Sequence, residues 1–335
     1  MASKTGKLPS SINVHSHFMS LNIVKELEAN KRDYGVRLEK TGGNVRLKFP
    51  TFQTLNLFPE MNNLEIRREH EKKAGIEMDI LSTWIDLYGY DLEKDQLVEF
   101  SRLVNSTLHE EASKYPDEFK LLATLPLPYG KEAADELQYF VKEMGFVGAI
   151  MNTNVLGINP DSSLFLPLWE MAEKLDVPVL LHPTAPTLGG RLKRYYLRNL
   201  IGNPNDTNIA AISLIFGGIM DRFPKLKVIL VHGGGYFPYG IGRFDHGYNV
   251  RNEPKVRARY KPSDYLKRFY YDTITYRPEI LKYLVDTVSA DNVLLGTDAP
   301  FDMEPEDSVG MVKRTMGDKA PAILSENSAK LFHLH

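Results

Sequence analysis

The chain contains no cysteine in 335 residues. That removes disulfides, thiolate metal ligands and cysteine nucleophiles together. Any transition metal must therefore be held by histidine and carboxylate. An excess of one charge is also missing: 41 basic against 43 acidic residues give a formal net charge of −2. There is no electrostatic footprint for nucleic acid or an anionic membrane. No run of 18 apolar residues occurs, and the opening MASKTGKLPS lacks the apolar stretch of a secretory signal. The expectation is a soluble, cytoplasmic protein without nucleic-acid or membrane partners. Low-complexity segments, short repeats and interdomain linkers are absent too, so residues 1–335 read as a single domain. The densest charge run, Arg67–Lys73, mixes both signs and reads as a solvated helix face. His70 and His109 fall in helical stretches and read as exposed.

What is present is a rhythm. Short apolar runs occur at Ser11–Val14, Met78–Thr83, Lys120–Leu125, Phe146–Met151, Val177–Leu181, Val228–Val231, Phe269–Thr273 and Val293–Leu295. Each looks like a strand buried on both faces. Between them lie helical patterns, clearest at Leu64–Ala74, Leu97–Lys114, Lys131–Glu143, Leu164–Leu175, Ile209–Arg222 and Pro278–Val288. Eight strands alternating with helices predict an α/β fold, a (β/α)8 TIM barrel. Two segments exceed ordinary connections: residues 30–60 after the first strand, and residues 183–205 after the fifth, with Pro183, Pro186, Gly189, Gly190, Gly202 and Pro204. Both follow strand C-termini, the face on which barrels carry active sites, and read as insertions that cover substrate.

The histidines carry the chemistry. His15 and His17 end the first run in Val14-His15-Ser16-His17-Phe18, and a strand's period of two points both to one side. His182 ends the fifth run, His232 the sixth and Asp298 the eighth. An isolated His-x-His is more often a surface pair, a lone strand-end histidine a satisfied core residue, and an Asp after Gly-Thr a helix cap. Five such residues at the ends of strands one, five, six and eight are not explained that way, because a barrel converges them on one mouth. Imidazole and carboxylate suit Zn²⁺ best, with Mn²⁺, Co²⁺ or Fe²⁺ as alternatives. The C-terminal pair His333 and His335 reads as a tail. Gly233-Gly234-Gly235 lacks a following Lys-Ser/Thr, so it reads as close backbone approach and not as a phosphate loop.

These motifs resemble the amidohydrolase superfamily, in the branch containing aminocarboxymuconate-semialdehyde decarboxylase and related nonoxidative decarboxylases. The resemblance spans nearly the whole chain. Its carriers are VHSHF at 14–18, RLKRYYL at 191–197, DRFPKLKVILVHGGGYFPYGIGRFDHGY at 221–248 and LLGTDAPF at 294–301. It implies that His15, His17, His182 and Asp298 bind one metal and that His232 is the catalytic base. Asp298 is implied as a second proton carrier in members acting on aromatic rings. Binuclear members use a strand-four lysine, which FVGAIMNTN lacks. The resemblance also implies a homodimer in which Arg243 reaches the neighbouring subunit's substrate, a small carboxylate.

Departures from the family pattern fall where substrate would be read. Ala299 replaces the usual aromatic, Tyr196 replaces a tryptophan, and Val45–Glu65 is longer than its counterpart. Arg46 is the candidate for the substrate arginine of that segment. Arg191 and Tyr196 are candidates for a guanidinium fork and a phenolic hydrogen bond to a carboxylate. The expected activity is metal-dependent nonoxidative decarboxylation of a small unsaturated or aromatic acid, of the muconate semialdehyde or hydroxybenzoate type. Hydrolysis of a carbon–carbon bond in a ring-cleavage product, or hydration of an unsaturated acid, remains open, because fold and metal do not separate them.

Overall fold

The computed structural model describes residues 8–184 and 189–334. Pro186, His335 and the first seven residues lie outside the described residues. Among the described residues there are ten strands: β1 Ile12–Phe18, β2 Arg37–Thr41, β3 Asn44–Lys48, β4 Met78–Thr83, β5 Phe119–Ala123, β6 Gly148–Asn152, β7 Val179–His182, β8 Val228–Leu230, β9 Phe269–Asp272 and β10 Val293–Leu294. Eight pair in parallel in the order β1-β4-β5-β6-β7-β8-β9-β10. The chain beyond β10 closes the ring against β1: Val14 N–H donates to Leu295 O at 2.9 Å and His17 N–H to Ala299 O at 2.8 Å. The fold is a (β/α)8 TIM barrel, as the eight apolar runs predict. β1 runs further than the apolar run Ser11–Val14, through both histidines to Phe18, because partners on β4 and beyond β10 satisfy its backbone.

The outer helices bury one stripe each. In Lys94–Ala112 the buried residues include Leu97, Phe100, Val104 and Leu108, a helical spacing. In Pro278–Val288 they are Leu281, Leu284, Val285 and Val288, after a proline in the first turn. One contiguous core fills the barrel and the helix layer. Among the described residues, no helix is long and apolar enough to cross a membrane.

The insertion after β1 is structured. β2 and β3 form an antiparallel hairpin, with Arg37 opposite Lys48 and Thr41 opposite Asn44. Gly42 and Gly43 make its two-residue turn at φ 58° and 85°, the left-handed pair that hairpin twist requires. Leu47 and Phe49 are buried in a second cluster with Met19, Ile23, Met61, Trp84, Leu97 and Phe100. The hairpin is thereby fixed beside the C-terminal ends of β1 and β4.

The charge run Arg67–Lys73 is not simply a solvated face. Arg67 is 1% exposed and Glu71 5%. Arg67 Nη2 donates to His17 O at 2.6 Å and Nη1 to Glu71 Oε1 at 3.2 Å. A backbone carbonyl and a carboxylate replace water around this guanidinium. His70 and His109 are half-buried, not exposed. His70 Nε2 lies 3.3 Å from Glu304 Oε2, tying Leu64–Ala74 to the loop after β10, and its Nδ1 lies 3.5 Å from Glu71 Oε1.

The Glu304 and Glu71 carboxylates raise the His70 pKa to about 10, against a smaller opposing effect of burial. A histidine raised in the folded state contributes stability that is complete below its ordinary value of 6.5 and is lost as pH climbs through about 10. Thermal denaturation of wild type and His70→Gln across that window should show a Tm gap that closes with rising pH. A gap independent of pH would remove this role for His70.

Candidate metal centre

The site is built from strand ends at the barrel's C-terminal mouth. His15 and His17 lie two apart on β1, and His182 is the last residue of β7. His232 follows β8 at φ 56°, and Asp298 follows β10 at φ 63°. Both non-glycine residues hold a left-handed backbone, which neighbouring contacts must enforce. Asp298 N–H donates to His15 O at 2.8 Å. His232 opens a turn in which Gly233, Gly234 and Gly235 all have positive φ. A Cβ on Gly235 would sit 2.0 Å from Pro204 O, so close backbone approach is what these glycines permit.

Five side chains converge. Metal-capable atoms of His15, His182, His232 and Asp298 lie within 4.8 Å of one another. Nε2 atoms of His15, His17 and His182 lie 3.2, 3.1 and 3.5 Å from the same oxygen, Asp298 Oδ1. His232 Nε2 faces the other oxygen, Oδ2, at 3.5 Å. Two tautomers follow from the far side of each ring. His15 Nδ1 donates to Asp272 Oδ2 at 2.7 Å, and His17 Nδ1 to Thr83 O at 3.2 Å. With Nδ1 protonated, each neutral ring turns an Nε2 lone pair toward Asp298 Oδ1. Neither ring nitrogen of His182 has a hydrogen-bond partner.

Lone pairs that meet inside a buried pocket favour a positive charge between them, a proton or a metal ion. Burial pulls the pKa values of His17 and His182 down, holding both rings neutral. At His15 burial also pulls down, but Asp298 and Asp272 outweigh it and lift the value to about 9. Burial pushes Asp298 up, yet His15 and the neighbouring rings leave it well below the carboxylate range. Two neutral rings, a third whose second proton a metal would displace, and an ionised carboxylate fit a divalent metal.

The surroundings contain residues the sequence reading passes over. Ser82 Oγ lies 3.1 Å from His17 Nδ1. Asp272, fully buried at the end of β9, touches both His15 and the His232 turn. Phe301 packs against the His17 ring, centroids 5.3 Å apart. Tyr276, at φ 59°, donates its hydroxyl to Met303 O at 2.8 Å. Arg198 Nη2 donates to Thr184 O at 2.8 Å, two residues beyond His182. Burial pushes Asp86 up to about 6, opposed by the Leu55 N–H and the Arg198 charge. The Asp86 carboxyl, after β4, thus feels groups from the hairpin insertion and from the loop after β7.

The sequence-nominated substrate residues are dispersed. Tyr196 is more than half exposed; the partial burial of its ring, then the Asp302 and Asp298 charges, raise its pKa. Arg191 is exposed in the turn Gly189–Leu192. Arg243 is exposed on the helix Ile241–Val250, which buries no residue of its own. Arg46 Nε donates to Asn56 Oδ1 at 2.6 Å, and Nη1 reaches Gln53 at 2.8 Å once that amide is oriented to accept. His333 pairs with Asp176 at 2.8 Å, away from this cluster.

The sequence profile described as Amidohydrolase matches residues 14–334. The 2-amino-3-carboxymuconate-6-semialdehyde decarboxylase of Dictyostelium discoideum is 33% identical over 238 residues, 71% of this chain and 66% of that protein. The gamma-resorcylate decarboxylase of Polaromonas sp. strain JS666 is 33% identical over 242 residues, 68% of this chain and 74% of that one. A dihydroxybenzoic acid decarboxylase structure from the same strain, with manganese and 2-nitroresorcinol, superposes with TM-score 0.78. It is 27% identical and covers 97% of each chain.

The division between the two oxygens of Asp298 predicts different variants. His182→Ala removes one of three imidazoles around Oδ1 and should lose the metal during dialysis. His232→Ala should retain it at equal helicity by circular dichroism. Elemental analysis that finds both variants equally depleted makes His232 a ligand.

Proposed function

The chain belongs to the amidohydrolase family, and from that membership and the centre at Asp298 we propose a metal-dependent nonoxidative decarboxylase of a small aromatic or unsaturated carboxylic acid. The observation that carries the reading is the set of buried imidazole nitrogens turned toward one carboxylate oxygen. Support for the reaction type comes from relatives named as decarboxylases of resorcylate and of a carboxymuconate semialdehyde.

His15, His17, His182 and Asp298 are the proposed ligands of one divalent ion, zinc by the chemistry of the donors. β6, Gly148–Asn152, offers no lysine to bridge a second. The structural neighbour solved with manganese makes that metal the alternative. When bound, the ion supplies Lewis-acid stabilisation of negative charge on a substrate oxygen. His232 is the proton carrier. The bond from substrate carbon to carboxyl breaks, CO2 leaves, and the electron pair stays on carbon. A proton from His232 Nε2 takes the carboxyl's place. Asp298 Oδ2, 3.5 Å from that nitrogen, holds the ring and is the second proton carrier.

Substrate is held from the rim in this reading. Phe301 beside His17 offers an apolar face to a planar ring. Tyr196, Arg191 and Arg198 are the loop residues proposed to meet its oxygens. Arg46 would have to leave Asn56 to join them.

Metal-loaded enzyme should release one CO2 per substrate from dihydroxybenzoates or carboxymuconate semialdehydes, without a second organic fragment. His232→Ala should lower kcat on the order of 10²–10⁴-fold. Two organic fragments would indicate a hydrolase, and uptake of water without CO2 a hydratase.

We also propose a homodimer, because Ile241–Val250 leaves Arg243 free to enter a partner's site. Arg243→Ala should raise KM for the anionic substrate, with about 2–5 kcal/mol lost in kcat/KM if a buried charge loses its partner. A monomer in sedimentation, or unchanged kinetics in the variant, would exclude the shared site.

A further inference from the structure

Asp272 stands outside every motif that identified the metal centre, yet it is the carboxylate with the most hydrogen bonds there. It is 0% exposed at the end of β9. Its Oδ2 accepts from His15 Nδ1 at 2.7 Å and from the backbone N–H of His232 at 2.9 Å. Its Oδ1 accepts from Gly233 N–H at 2.7 Å and from Ile274 N–H at 3.1 Å. Four donors thus converge on one side chain from β1, from the turn after β8 and from its own strand end.

We infer that Asp272 is a positioning residue that fixes, through one carboxylate, both the tautomer of His15 and the seat of His232. The inference rests on the proposed metal centre. Three of the four donors are backbone N–H groups, which cannot accept, so the carboxylate must remain the acceptor for all of them. His15 is then compelled to place its proton on Nδ1, which directs the Nε2 lone pair at Asp298 Oδ1. The same oxygen, Oδ2, holds His232 N–H. His232 has φ 56° and Gly233 φ 60°, and Asp272 binds the N–H of both. The carboxylate therefore maintains the unusual backbone that aims His232 at Asp298 Oδ2. A shift of Asp272 moves ligand and proton carrier together.

Asp272→Asn gives a near-isosteric test, because an amide has one accepting end and one donating end. If its oxygen keeps Gly233 and Ile274, its NH2 faces His232 N–H and His15 Nδ1. His15 can relieve that conflict only by moving its proton to Nε2, where it blocks the metal. The reverse amide orientation sets NH2 against two backbone N–H groups, a worse arrangement. Either way, one ligand or the turn is lost.

The experiment combines zinc affinity, by competition with a chromophoric chelator, and long-range ¹H–¹⁵N spectra of the histidine rings in the zinc-loaded protein. Wild type should show His15 with a slowly exchanging Nδ1 proton and metal on Nε2. D272N should lose that proton signal and bind zinc roughly 10–100-fold more weakly at unchanged circular dichroism. Zinc affinity within twofold of wild type, with the His15 Nδ1 proton retained, overturns the role of Asp272 and leaves the metal centre standing. If D272N does not fold, the wild-type spectrum decides: metal on His15 Nδ1 overturns the inference. Wild-type protein that takes up no zinc or manganese sinks the metal centre and the inference together.

Discussion

A carboxylate oxygen faced by lone pairs is the constraint on which this structure turns. Asp298 Oδ1 sits within 3.5 Å of three imidazole Nε2 atoms, two of them deprived of a proton by what their rings donate to elsewhere. In a water-excluded pocket such an arrangement is repulsive until positive charge enters, as a proton on His15 or as a metal ion. The protein resists its collapse from behind. Asp272 and Thr83 O hold the far nitrogens of His15 and His17. Behind them, Arg67 donates to His17 O and is neutralised by Glu71. Removing one member of such a buried pair costs about 3–5 kcal/mol, so the helix Leu64–Ala74 is committed to keeping the end of β1 in place.

That commitment explains where the backbone departs from ordinary geometry. Tyr195, Tyr196, His232, Tyr276 and Asp298 all have positive φ and lie on loops after β7, β8, β9 and β10. Each such residue costs of order 1–3 kcal/mol and persists only when surrounding structure over-determines it. His232 is held by Asp272, Asp298 by His15 O, and Tyr276 by Met303 O. The barrel core, with strands buried on both faces, is the rigid body against which these conformations are maintained. Positive φ also occurs at Asn30, Leu156, Asp176, Ser289 and His333, apart from these five, and none of these ten residues lies in a strand.

What the sequence made legible follows from the same split. Strands buried on both faces announce themselves as apolar runs, and a histidine at the end of such a run stands out against them. The eight strands and the five converging residues could therefore be read directly. The hairpin insertion was legible in principle, since Gly42-Gly43 separates two short alternating segments, but its length alone suggests only a loop. Asp272 was hidden because a lone aspartate after Tyr271 looks like any strand-end carboxylate. Its meaning lies in donors from residues 15, 232 and 233, which no local pattern connects. Arg67 was hidden for the opposite reason: a run of seven charged or polar residues looks solvated, and only tertiary packing reveals that Arg67 and Glu71 point inward.

The rim resists reading because it is assembled from segments with no shared periodicity. Asp86 follows β4, Leu55 belongs to the hairpin insertion, and Arg198 lies beyond β7, yet the Leu55 N–H and the Arg198 charge both act on the Asp86 carboxyl. Thr184, which accepts from Arg198, is itself bound to Asn152: its N–H donates to Asn152 Oδ1 at 3.0 Å. Asn152 is the last residue of β6, directly opposite His182 in register. A change on the rim can therefore be felt at a strand that carries the centre, without altering any metal-capable residue. The strand ends constrain the chemistry: His15 and His17 each have an acceptor behind the ring, Asp272 Oδ2 and Thr83 O. Tyr196, exposed on the loop after β7, is under no such requirement, whereas Ala299 is buried and accepts from His17 N–H at 2.8 Å. Variation on the rim is thus separable from the ring acceptors that hold the end of β1.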